Sequence, residues 1–359
     1  MDGLEGAMKS REKLVIAKTR IDPGQVADIR LKISETYTGD PIAIPLRVVR
    51  ASKAGPTLFI CAAVHGNELS GTGVVHELMF QKTLQLTKGT VILIPVVNVF
   101  GFETNQRNLP DRRDLNRCFP GNLKGSLASR IAATFMREII RKCDYGIDLH
   151  SAAQQRTNYP NVRGDCSLPA VKKIACAFGS ELIIPNKGPV GSLRRSACRV
   201  RCYTITVEAG APSRMASSVI EFGVQGVENV LIELGMLKGS PSKPLYQVQL
   251  EKTIWVRAQV GGILRFHILP GDLVESGQAI ATNYGILGKE QNVLTSPVNG
   301  LVLGMATLPT VKPGEPVCHL GIPTTSLSKI RKSLKKPPLS SLHRRIRRQL
   351  ASNIAYTGR

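Results

Sequence analysis

The chain has 359 residues, of which 42% are hydrophobic and only 5% aromatic, so a largely aliphatic core serving one large domain and a smaller one is expected. No apolar run is long enough to span a bilayer, and the N-terminal MDGLEGAMKSREKL has no apolar secretory stretch, so neither a transmembrane segment nor a signal peptide is expected, and a cytoplasmic location is. The net charge of +22 leaves a basic chain suited to anionic partners or substrates, and the eight scattered cysteines form no C-x-x-C pair, which argues against a cysteine-held zinc and against a disulfide framework.

In chain order, residues 1–27 read as a weakly ordered lead-in and 28–53 as antiparallel edge strands. TLFICAAV, 57–64, is a continuous apolar run and hence a buried strand, ending on His65. Helical spacing follows through Leu69, Val74, Leu78 and Met79. TVILIPVV, 90–97, is a second buried strand, and the Asn-rich stretch 98–125 with two prolines is a loop. Ser126 is placed to cap a helix running to about Lys142. YGIDLH, 145–150, is a short strand ending on His150. A helix over 168–179, the strand ELIIP, a strand over 202–210 that contains Glu208, and a helix over about 214–237 complete an α/β pattern with a mixed sheet. His65, His150 and Glu208 all fall at or just past strand ends, where open α/β sheets gather their active sites. There is no G-x-G-x-x-G and no P-loop, so nucleotide binding lacks support.

From 245 to 323 the pattern changes to short strands and turns, with Pro270-Gly271-Asp272, Pro313-Gly314-Glu315 and a Ser-Pro-x-x-Gly break. This suggests a small all-β, barrel-sandwich-like domain similar to biotinyl or lipoyl modules. Lys289 lies eight residues before Pro297, as modified lysines do in such modules, but LGKEQ lacks their usual context and a structural appendage is expected. The last segment, 324–359, is a basic tail: nine Lys or Arg and no acid fall between Lys329 and Arg348. Such a run can bind nucleic acid or an anionic surface, or simply form a solvated, partly helical tail.

The chemistry centres on His65-Gly66-Asn67-Glu68. A catalytic zinc needs neutral imidazoles and carboxylates and an open position for water. His65 and Glu68, leaving a strand end together, can turn toward one ion, and His150 is the best third ligand; His76, His267, His319 and His343 read as structural or surface histidines. In the loop Asp114-Leu115-Asn116-Arg117-Cys118-Phe119-Pro120-Gly121, Asn116 and Arg117 can fork a carboxylate, and Asp114 can accept a hydrogen bond from the other nitrogen of a zinc-bound His. Four arginines in RRSACRVR, 194–201, either help select an acidic substrate group or form a basic surface loop.

HGNE, DLNRCFPG, DLHSA and TVEAG, in that order, resemble the succinylglutamate desuccinylase/aspartoacylase family of the zinc carboxypeptidase superfamily, over roughly 40–322. The resemblance implies a zinc carboxypeptidase-like catalytic domain over 28–244 with one zinc held by His65, Glu68 and His150. It implies Asn116 and Arg117 as the carboxylate grip, Glu208 as general base and then acid, Arg107 as the group that polarises the amide carbonyl, and Asp114 behind His65. Arg112 and Arg113 compete with Arg107 for that assignment. The activity implied is deacylation of a small N-acylated, carboxylate-bearing amino acid or amine. The alternatives are a carboxypeptidase acting on a peptide-like conjugate, or a zinc-stabilised scaffold that binds an anionic partner through the tail. A homo-oligomer is left open.

Overall fold

The computed structural model describes residues 13–80, 84–334, 338 and 340–356. Its strands are β1 Leu14–Ile16, β2 Thr19–Ile21, β3 Val26–Glu35, β4 Pro41–Arg50, β5 Thr57–Ala62, β6 Thr90–Ile94, β7 Tyr145–His150, β8 Arg156–Gly164, β9 Leu182–Pro185, β10 Tyr203–Gly210, β11 Val248–Arg257, β12 Gly262–Phe266, β13 Leu273–Val274, β14 Ala279–Tyr284, β15 Glu290–Thr295, β16 Gly300–Ala306, β17 Thr310–Val311 and β18 Pro316–Pro323. Its helices are α1 Ser70–Phe80, α2 Val99–Glu103, α3 Leu127–Glu138, α4 Pro169–Ala177, α5 Leu193–Arg199, α6 Ser217–Glu233, α7 Leu327–Ser333 and α8 Leu342–Ala351. None of these helices is long and apolar enough to cross a membrane.

Twelve strands form one sheet in the order β13-β16-β18-β11-β9-β8-β10-β7-β5-β6-β4-β3. Its centre, β10-β7-β5-β6, is parallel, whereas β4 and β8 join antiparallel on either side, so the sheet is mixed. The continuous apolar runs have a simple cause. Leu58, Ile60, Val91 and Leu93 point to a core shared with α1, α4 and α6, and Phe59, Cys61, Ile92 and Ile94 point to a second core shared with α3 and α5. A strand covered on both faces needs apolar residues at every position. Ser126 caps α3 as expected, accepting from Ser129 N at 3.4 Å.

Strands β11–β18 form two layers around their own core: part of the large sheet, and a four-stranded sheet in the order β15-β14-β12-β17. The boundary expected at 244/245 falls in the loop before β11, and the large sheet runs on across it, because β11 pairs with β9 and β16 pairs with β8.

Two terminal segments differ from expectation. Residues 1–12 of the lead-in lie outside the described residues, but Leu14, Ile16 and Ile21 are buried in a β1–β2 hairpin packed on the α3 core. The cause is a short period-2 pattern in LVIAKTRI, too brief to read as a hairpin beforehand. The basic tail is not simply solvated. Lys335 and Lys336 lie outside the described residues, but α8 docks against α6 with His343, Ile346 and Leu350 buried. Gln349 Oε1 accepts from the backbone N of Ser218 at 3.0 Å, at the start of α6, where the N-cap residue Ala216 supplies no side-chain bond. Arg345 pairs with Glu221, Arg347 with Asp272 and Arg331 with Glu275. Exposed ion pairs contribute at most about 1 kcal/mol each, so the apolar face dominates the docking. Ile346→Ala is therefore expected to lower stability by about 2–5 kcal/mol, measured by denaturant unfolding. A loss below about 0.5 kcal/mol would mean that α8 is not docked in solution.

Candidate active site

His65, Glu68, His150 and Glu208 meet at one end of the parallel strands. β5 ends at Ala62 and the chain turns through Ala63, at a positive φ of 49°, to present His65. Gly66 then passes so close to α2 that a Cβ would lie 2.0 Å from the carbonyl carbon of Gly101. Only glycine fits there, which explains the second residue of HGNE. His150 closes β7, and Glu208 is its direct partner in the β10–β7 register. Side chains at matched positions of parallel neighbours project to the same face.

Glu68, 2% exposed, is the hub. Its Oε1 lies 2.8 Å from His65 Nδ1 and accepts from Arg107 Nη1 at 2.8 Å. Its Oε2 lies 2.8 Å from His150 Nδ1 and accepts from Ser151 N at 3.1 Å. One ligand atom from each of His65, Glu68 and His150 falls within 4.8 Å of the others. His65 Nδ1 is buried and makes no hydrogen bond, since its approach to Glu68 lacks the angle for one. A buried unpaired ring nitrogen is costly unless a cation takes its lone pair. The donor set of two imidazoles and a carboxylate is that of a catalytic zinc site.

Each imidazole is held from behind. His65 Nε2 lies 3.0 Å from Asp114 Oδ1, which also accepts from Asn116 N at 2.8 Å. His150 Nε2 lies 2.9 Å from Asp148 Oδ2, and Asp148 is fully buried. These contacts leave Nδ1 of both rings facing Glu68. Burial works against charge throughout the cluster. Even so, the flanking imidazoles hold the Glu68 carboxyl far below the usual carboxylate range, and His65 with Arg107 does the same for Asp114. The carboxylates raise both imidazoles in turn.

Glu208 stands across a pocket of about 270 Å³ that these residues share. It is not part of the ligand group: Oε2 accepts from Asn158 Nδ2 at 3.0 Å, and Oε1 lies 3.6 Å from Arg163 Nη1. Arg107, Asn116 and Arg117 line the same pocket, whereas Arg112 and Arg113 do not. Arg107 also reaches Asp114 Oδ2 at 3.4 Å. Asn116 Oδ1 accepts from Leu193 N at 2.8 Å, tying the loop to the start of α5, and Arg117 is exposed toward the pocket. Gly191, at φ +82°, lies against the backbone of Arg117, where a Cβ would come within 2.2 Å.

Residues 194–199 of RRSACRVR belong to helix α5 rather than to a loop. Of its arginines only Arg194 lines the pocket. Its Nη2 donates to Asn186 Oδ1 at 2.6 Å, while Nε and Nη1 are buried without partners. Burial first, then Arg163, lowers its pKa to about 10, against the pull of Asp148 and Glu208. The sequence reading did not single out Asp148's hold on His150, nor Asn158, Arg163, Arg156, Trp255 and His319 in the pocket wall. Asp148 had a signal in the i, i+2 spacing to His150, which puts both on one face of β7.

Comparison with known proteins decides the family. The model for the succinylglutamate desuccinylase/aspartoacylase catalytic domain matches residues 54–234, about half of the chain. The chain belongs to the succinylglutamate desuccinylase/aspartoacylase family. A curated relative, the N-alpha-acetyl-L-2,4-diaminobutyric acid deacetylase of Halomonas elongata, is 27% identical over 68% of this chain and 74% of its own length. The product-bound ectoine utilization protein of Ruegeria pomeroyi superposes with a TM-score of 0.75 at 24% identity, covering 84% of this chain and 96% of that one. The family protein of Rhodobacter sphaeroides gives 0.73 at 24% identity over 83% and 95%. At these identities the two structures show a shared mixed α/β fold.

Proposed function

We propose that this member of the desuccinylase/aspartoacylase family is a zinc-dependent deacylase of small N-acyl amino acids. One observation carries the reading: the buried His65–Glu68–His150 group faces, in one pocket, a carboxylate that is not part of it. Family membership and the deacetylase relative support the amide-hydrolase class. His65, Glu68 and His150 would hold the ion. When bound there, zinc would supply an acidified water, with a pKa of about 7, and a Lewis acid for the amide oxygen.

The remaining work falls to the chain. Asn158 engages Oε2 of Glu208, so Oε1 takes the proton lost by the attacking water and returns it to the leaving nitrogen. Arg107, anchored on Glu68 and Asp114, directs its positive charge at the carbonyl oxygen as charge builds there. Arg117, with the amide group of Asn116, grips the carboxylate of the substrate. The pocket volume of about 270 Å³, walled on one side by Trp255 and His319, suits a small molecule better than a peptide. A scaffold would have no use for Glu208 beside a complete ligand set.

The test is amine release from N-acetyl and N-succinyl amino acids by the zinc-loaded protein. No release from any member would overturn the reading. Arg117→Ala is expected to raise KM by roughly 10- to 100-fold, the loss of one charged hydrogen-bonding partner. An unchanged KM would place the carboxylate elsewhere.

A further inference from the structure

Glu208 takes its place in the site from the β10–β7 ladder, but the turn of its carboxylate is set from β8. Asn158 donates to Oε2 at 3.0 Å, and Arg163 lies 3.6 Å from Oε1. The strand between these two residues is irregular. In the β8–β10 register Asn161 faces Glu208 and Asn158 faces Gly210, so Tyr159 and Pro160 together stand opposite the single residue Ala209. This is a β-bulge, a device that re-aims the side chains beside it. On its other edge β8 pairs with β16 over Arg156–Asn158 and with β9 from Asn161 onward. No ladder on either edge therefore fixes Tyr159 and Pro160. Side chains do so instead. Ser180 Oγ donates to the Pro160 carbonyl at 3.2 Å, and Asn161 Nδ2 donates to the Tyr159 carbonyl at 2.8 Å. Asn161 Oδ1 accepts from Arg163 Nε at 3.0 Å, which ties the bulge to one neighbour of Glu208.

The Tyr159 side chain leaves the active-site pocket and points through the sheet toward α8. Its hydroxyl donates to Glu181 Oε2 at 2.6 Å and lies 3.0 Å from His343 Nδ1. His343 Nδ1 in turn lies 2.8 Å from Glu181 Oε1. Burial and then the Glu181 carboxylate raise the Tyr159 hydroxyl well above its ordinary pKa, so it remains a donor. A cavity of about 340 Å³ borders all three residues. They are thus not packed on every side, and the hydrogen bonds set where the phenol lies. We propose that Tyr159 and His343 are positioning residues for Glu208: docked α8 anchors the phenol, the phenol sets the bulge, and the bulge aims Asn158 and Arg163 at the two carboxylate oxygens. The basic tail then completes the active site from behind the sheet without touching substrate. This deepens the deacylase reading and rests on it for the kinetics, though not for the geometry.

Tyr159→Phe removes one hydroxyl and keeps the ring. It is expected to lower kcat for the best N-acyl amino acid by roughly 10- to 100-fold, the scale of a misplacement of up to about 1 Å at a reacting group. KM and zinc content should hold, because Arg117 and the His65–Glu68–His150 group lie elsewhere. His343→Ala should match this loss, and His343→Gln, whose amide can still donate to Glu181, should recover part of it. The deciding comparison is a double-mutant cycle with Asn158→Ala. Tyr159→Phe should cost much less once Asn158 is gone. An equal loss in both backgrounds would give Tyr159 a general packing role and overturn the proposal. An unchanged kcat, or a loss of zinc with activity, would do the same. The side-chain amide resonances of Asn158, assigned by their disappearance in Asn158→Ala, report the contact with Glu208 without turnover. They should shift in Tyr159→Phe and in Glu208→Gln. Resonances unmoved by Tyr159→Phe overturn the positioning and leave the deacylase reading intact. Shifted resonances in a zinc-loaded protein that turns over no N-acyl amino acid overturn the deacylase reading and leave the positioning intact.

Discussion

Glu208→Gln is expected to lower kcat by about 10²- to 10⁴-fold, the contribution of a positioned general acid–base, with zinc content unchanged. The amide is nearly isosteric and can still meet Asn158 and Arg163, so the pocket keeps its shape while losing its proton acceptor. The distinction from a ligand rests on geometry: His65, Glu68 and His150 come within 4.8 Å of one another, and Glu208 is outside that group, held by Asn158 at 3.0 Å. Zinc-to-protein stoichiometry by elemental analysis, read beside turnover, separates the two roles. Loss of zinc together with activity would make Glu208 a ligand. Full activity would remove it from the mechanism.

Asp148→Asn is expected to weaken zinc binding by about 10- to 100-fold, the usual cost of removing the partner behind a ligating imidazole. Asp148 is completely buried, with Oδ2 2.9 Å from His150 Nε2, and Oδ1 accepts from the Cys61 thiol at 3.5 Å. The carboxylate holds the proton on Nε2 and thus leaves the Nδ1 lone pair, on the Glu68 side, available to an ion. An amide can turn an NH₂ toward the ring and favour the wrong tautomer. Competition with a chromophoric chelator measures the affinity, and activity should return as zinc is added in excess. Unchanged affinity would show that Asp148 serves packing alone.

The parts legible in the sequence were those under two-sided constraint. β5 and β6 are apolar at nearly every position because helices cover both sheet faces, and the ends of β5, β7 and β10 announced His65, His150 and Glu208. β8 was not legible. It carries Asn158, Pro160, Asn161 and Arg163, polar or strand-breaking residues in a strand that lines the pocket and pairs with β9, β10 and β16. α5 has only seven residues, three of them arginine, so its charge hid the buried Leu193, Arg194 and Ala197. In α8, four arginines masked the helical spacing of His343, Ile346 and Leu350. Arg156 and Trp255 are far apart in the chain, and local pattern holds no information about such a meeting.

The pairing of Glu208 with His150 across β10 and β7, with β5 on the other side of β7, has an evolutionary consequence. His150 and Glu208, both assigned to the proposed reaction, share one ladder, so their mutual spacing is a property of the sheet and resists drift. The group proposed to grip the substrate carboxylate comes from elsewhere, the loop around Arg117, and the far wall of the pocket is supplied by β11, β18 and the start of β8. Substitutions in those outer elements can change which molecule is accepted without retuning the reaction, so descendants of this scaffold can diversify in diet while keeping their chemistry.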